Sequence, residues 1–175
     1  AMLAAYDPAL YEGICDGSIA YTDEKVVEVM NQWKDMLDKG YFSAPMTNVD
    51  MAKSVATGSV AMELEPNYEA TTIVNDYGLD SKEDLGTFVL PSVDGAKKIV
   101  FYEIAPLCVS STSKDKDAAI EALKSWFTKE NQTVFTDITG FLCSSQVTVD
   151  NECVNQMVAY TTDSDNYSMM LRYYE

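Results

Sequence analysis

Not one histidine occurs in this chain of 175 residues. Its absence removes the commonest general base and metal ligand, and with it Ser-His triads, Cys-His pairs and the usual zinc sites. Basic residues are scarce too: 12 Lys and Arg stand against 28 Asp and Glu, a formal net charge of −16. Such a surface repels nucleic acid and anionic membranes, so neither is expected as a partner. It suits neutral or cationic ligands; the plain alternative is that the acids only solvate the surface. The four cysteines, Cys15, Cys108, Cys143 and Cys153, include no CxxC pair, so no metal cluster or redox motif is indicated. Cys108 sits in an apolar run and reads as a small core residue. Cys143 and Cys153 read as free thiols, with a bridge between them as the alternative in an exported protein. No apolar run reaches membrane-spanning length. No cofactor is expected.

What is present is ample apolar material, 47% of the residues, enough for a real core and against disorder. The opening 22 residues mix turn formers with aromatics and read as a loop with one helical turn. DEKVVEVMNQWKDMLDKG then predicts a helix with Val26, Met30, Trp33 and Leu37 on its buried face, Thr22 as N-cap and Gly40 as stop. TNVDMAKSVATG predicts a second helix, with Thr47 and Asp50 at capping-box spacing and Gly58 ending it. SVAMEL follows as a buried strand in which Val60, Met62 and Leu64 alternate with Ala61 and an outward Glu63. NYEATTIVNDYG reads as helix, GTFVLPS as a strand stopped by Pro91, and IVFYEIAPLCVSS as the longest extended run, bent at Pro106. SKDKDAAIEALKSWFTKENQ predicts a strong helix with Ala119, Ala122, Leu123 and Trp126 inward. NQTVFTDITG and DNECVNQMVAY read as further helices, separated by the extended FLCSSQVTV. Helices alternating with single strands argue for an α/β layered fold.

The order of these elements resembles the extracellular solute-binding proteins of ABC transporters, specifically the carbohydrate-binding group related to maltodextrin-binding proteins. Four stretches carry the resemblance over Tyr21 to Gln146. They are YTDEKVVEVMNQWKDMLDKGYFS; TGSVAMEL, with Gly58 and Ala61-Met62 placed as in a Gly-x-x-Ala-Met signature; LGTFVLPSVDG; and IAPLCVSSTSKDKDAAIEALKSWFTKENQTVF with TGFLCSSQ. One departure is Cys143, where the family has a proline.

The resemblance implies a periplasmic-binding-protein-like fold of type II, of which this chain would be a C-terminal fragment. Residues 1–103 would be a portion of the C-terminal lobe. Residues 104–147 would return to the N-terminal lobe, and residues 148–175 would cross back. The helix over Asp115–Thr128 would then lack a packing partner, so self-association of the fragment is expected. The implied activity is non-enzymatic: capture of a sugar or oligosaccharide by closure of two lobes, then docking on an ABC permease in the membrane. The implied location is the periplasm or the cell surface, there as a lipoprotein.

Candidate ligand residues follow from what a sugar needs, an aromatic face for the ring and polar groups for its hydroxyls. In Glu65-Pro66-Asn67-Tyr68 the proline cannot donate to a sheet ladder, so pairing ends there. Tyr68 falls where the resemblance places a stacking aromatic, with Asn67 and Glu65 as hydroxyl partners. The structural alternative makes Asn67 the N-cap of the next helix and tucks Tyr68 into the core. Tyr102 and Glu103 are candidates on the hinge-crossing strand, or else positions of an ordinary alternating strand. Phe141 lines the cleft or belongs to the core. Tyr173 and Tyr174 are a further aromatic pair. The rival function is a glycoside hydrolase using Glu63, Glu65 and Glu103 as acid/base carboxylates. Against it, a (β/α)8 barrel needs about 250 residues. A protein-interaction module without a small ligand is the third reading.

Overall fold

The computed structural model describes residues 2–170. It divides into two compact units, one of Ala1–Pro45, Phe88–Ile104 and Asp163–Glu175, the other of Met46–Thr87 and Ala105–Thr162.

The first unit holds three helices and a small sheet. The opening residues form α1 (Met2–Tyr6) and α2 (Pro8–Cys15) rather than a loop with one turn. Asp7 caps α2 by accepting from the Ala9 amide, and Pro8 supplies a first helical residue whose missing N–H is no loss. α3 (Glu24–Asp38) starts at Asp23, not Thr22, because the Asp23 carboxylate accepts from the Lys25 amide at 3.1 Å. Its buried residues are Val26 and Val29, which join Leu10 in a core lined by Met2, Leu3, Tyr6, Ile14, Ile19 and Met30. Each such side chain contributes about 1.5–3 kcal/mol on leaving water. The predicted stripe fails in its second half, where Trp33 and Leu37 stay 44% and 50% exposed. The α3 residues in that core, Val26, Val29 and Met30, all lie in its first two turns.

The sheet of this unit runs β1 (Leu90–Pro91), β2 (Lys98–Tyr102), β3 (Asn166–Met170), with β2 central. β1 and β2 pair antiparallel across a turn in which Gly95 takes φ +71°, and β3 lies parallel to β2 with Ile99 opposite Tyr167. A parallel neighbour needs a long crossover. Here that crossover is the second portion of the other unit, residues 105–162. Ala4, Ile99 and Met169 form the core under the sheet.

The second unit is helical: α4 (Asn48–Ala56), α5 (Tyr68–Tyr77), α6 (Lys116–Trp126), α7 (Lys129–Thr139) and α8 (Glu152–Thr162). α4 carries the expected capping box, with Thr47 Oγ1 accepting from the Asp50 amide and donating to the Asp50 carboxylate. Gly78 and Gly140 end α5 and α7 in the left-handed conformation. Val147, Val149 and Val154 pack together, and the Ser81 hydroxyl accepts from the Glu152 amide, tying the end of α5's loop to α8.

Three further expectations are corrected. Val60–Leu64 is not a strand: among the described residues of this unit no strand exists to pair with it. The alternation is reversed as well, for Met62 and Leu64 are 69% and 66% exposed whereas Glu63 is half-buried. Cys108 is exposed rather than core, because the extended run stops pairing at Tyr102 and its continuation lies at the surface. All four cysteines are free thiols. α6 buries no residue, although Ala119, Leu123 and Trp126 are its least exposed positions.

Candidate functional site

The segment from Glu63 to Glu69 leads into α5 and lies against the N-terminal end of α4 and the C-terminal end of α7. Asn67 does not cap α5. Its backbone is already helical, and its side-chain amide donates instead to the Gly140 carbonyl. This bond pins the start of α5 to the end of α7. Glycine is required at that meeting point, since a Cβ on Gly140 would come 2.9 Å from Tyr68 Cα and 2.5 Å from Thr71 Oγ1. Its φ of +73° favours glycine independently.

The same contact brings Phe141 onto Tyr68. Their ring centroids are 4.9 Å apart with planes tilted by 44°. Phe141 also stacks on Phe135 at 6.3 Å, and Phe135 meets Trp126 edge-on at 4.8 Å. A continuous aromatic row thus runs from α5 through α7 to α6. Tyr68 is half-buried and Phe141 46% exposed, so this end of the row keeps ring surface available to solvent. The Tyr68 hydroxyl accepts from Asn48 Nδ2 at 3.4 Å.

The loop after Phe141 is held by Gln132, which is 2% exposed. Its amide donates to Ser144 Oγ at 3.2 Å, and its carbonyl oxygen accepts from the Ser145 amide at 3.0 Å. Thr136 Oγ1 donates to Cys143 Sγ at 3.4 Å. Sequence reasoning missed Gln132 because a mid-helix glutamine carries no local sign of burial.

Three carboxylates, Glu63, Glu65 and Glu69, flank Tyr68 in the sequence and lie close enough to interact. Glu69 is 4% exposed, and its Oε2 and that of Glu63 are buried without a hydrogen-bond partner. Burial, above all, pushes the Glu63 carboxyl above the usual carboxylate range, and the charges of Glu69 and then Glu65 add to it. Burial and then the charge of Glu65 raise Glu69, opposed by a hydrogen bond from Asn48. Asn48 therefore touches both the phenol and the buried acid. Neither Asn48 nor Glu69 stands out in the sequence, since their meeting depends on α4 packing on α5.

Of the sequence-predicted residues, Glu65, Asn67, Tyr68 and Phe141 share the second unit, and Tyr68 and Phe141 are in contact. Tyr102 and Glu103 belong to the first unit, where Tyr102 ends β2 and is 40% exposed. Tyr173 and Tyr174 lie outside the described residues. No described helix is long and apolar enough to cross a membrane.

Residues 3–162 match the family model of a bacterial extracellular solute-binding protein. That span is most of the chain, and the protein belongs to this family. No curated protein and no solved structure matches. The family defines a substrate-binding role in transport and a location in the periplasm or at the cell surface. The mixed helix-and-sheet architecture agrees with a periplasmic-binding-protein-like fold.

Proposed function

We propose that the chain is the carbohydrate-binding component of an ABC importer, capturing an extracellular sugar or oligosaccharide by two-lobe closure of the type II kind and delivering it to a membrane permease. Tyr68 is the stacking platform, extended by Phe141, and Glu65 is a hydroxyl partner. The observation that supports this reading is the half-exposed Tyr68–Phe141 ring pair, held together by the Asn67–Gly140 bond. Aromatic rings with few rotors lose little entropy on ordering, and each satisfied hydroxyl bond contributes about 1 kcal/mol net. Asn67 takes a changed role: with its amide engaged by Gly140, it orients Tyr68. For Tyr102 and Glu103 the assignment rests on the resemblance alone, as does attachment of the protein to the cell surface as a lipoprotein.

A thermal-shift screen of the natural, full-length protein against mono- and oligosaccharides tests the reading. Stabilisation by at least one sugar, without turnover of a chromogenic glycoside, is the expected outcome. Turnover would favour the hydrolase alternative, and no shift with any saccharide would refute the carbohydrate assignment.

A further inference from the structure

Glu63, Glu65 and Glu69 stand within one short segment around Pro66; burial raises the proton affinity of Glu63 and Glu69, and the charge of Glu65 adds to both. Acidic side chains so close ordinarily face water or a basic partner. Glu69 has neither, being 4% exposed, with its Oε2 buried and unpartnered. The Oε2 of Glu63 is in the same state. The ion pairs among the described residues, Lys34–Asp38 and Lys124–Glu121, involve none of the three. A buried carboxylate oxygen with no donor carries its desolvation penalty uncompensated, which is retained where a ligand supplies the missing donor.

The missing donor must bring several N–H or O–H groups and, best, a positive charge. No group of Asp, Glu or Cys among the described residues has an arrangement that could hold a metal ion. An ammonium group fits: it has three donors, its charge offsets three clustered acids, and aromatic faces attract it. Tyr68 is the nearest aromatic in sequence, and Asn48 links its hydroxyl to Glu69. We propose that Glu63, Glu65 and Glu69 receive a protonated amine of the transported solute, next to the Tyr68–Phe141 ring pair. The inference rests on that ring pair being the solute platform, and it narrows the solute to an amine-bearing saccharide. The net charge of −16 favours approach of a cationic solute over an anionic one.

Calorimetric titration of the natural, full-length protein with three probes tests this. They are a glucosamine trimer at mildly acidic pH, its N-acetylated counterpart, whose nitrogens are uncharged, and spermidine. The glucosamine trimer is expected to bind at least tenfold more tightly than the acetylated one. Glu69→Gln, or Glu63→Gln should the first variant fail to fold, is expected to remove that preference. Equal binding of both trimers overturns the amine subsite and leaves the carbohydrate reading intact. Spermidine binding without either trimer upholds the amine subsite and overturns the saccharide. Binding of none overturns both.

Discussion

Glu63 and Glu69 are the residues whose chemistry departs furthest from what their sequence positions suggest. Alternation along SVAMEL makes Glu63 an outward strand position, yet its Oε2 is covered and Met62 and Leu64 take the solvent. Both acids bind a proton more tightly in the folded chain than in the unfolded one. Between the ordinary glutamate value and the raised one, the folded state therefore holds more protons. Stability falls as pH rises through that window and levels off above it. Glu69→Gln is expected to flatten this slope and to raise the melting temperature at neutral pH by on the order of a few degrees. Melting curves of the parent and the variant from about pH 4 to 8 check this; identical pH profiles would contradict the burial of that charge. Asn67 shows the limit of residue-level reading in another way. Its type and place suit a helix cap, but the amide is drawn across to a carbonyl 73 positions later, a distance over which no local signal acts.

At the scale of elements, the helices after the first two were legible, whereas of the expected strands β1 and β2 formed in shortened extent and Val60–Leu64 did not, for a physical reason. Helix signals are local, and Thr47 with Asp50, Asp115, Thr128, Gly78 and Gly140 all sit at the ends they mark. A strand exists only where a partner is supplied from elsewhere, and periodicity cannot report that partner. Hence Val60–Leu64 remains unpaired, while β2 forms because β1 and β3 flank it. The candidate site was legible in its aromatic and proline residues, and hidden where it depends on α4, α5 and α7 packing together. Gly140 tests that packing. Gly140→Ala adds a steric clash to a left-handed backbone and is expected to cost roughly 2–4 kcal/mol. Gly78→Ala, with the same φ but open space around it, should cost roughly 1–2 kcal/mol. Denaturant unfolding of the two variants checks this, and equal losses would mean that Gly140 makes no close contact with α5.

At the scale of the whole molecule, exposed apolar side chains are numerous. Met62, Leu64, Phe88, Ile104 and Ile138 are each more than 60% exposed, and α6 buries nothing. Exposed apolar surface in this amount tends to be covered by another chain. The 175-residue chain is expected to self-associate as its concentration rises, read by multi-angle light scattering; a monomer throughout would show that these side chains form no sticky patch. Membership of the solute-binding family fixes the general task, and the Tyr68–Phe141 pair is the place on the chain that we propose for it. The most direct measurement is calorimetry on the natural, full-length protein, its Tyr68→Ala variant and its Tyr68→Phe variant, with whichever sugar stabilises the parent most. Aromatic stacking worth about 1–3 kcal/mol means that alanine should weaken binding by roughly tenfold or more, whereas phenylalanine should retain most of it. Unchanged affinity in Tyr68→Ala would place the solute elsewhere.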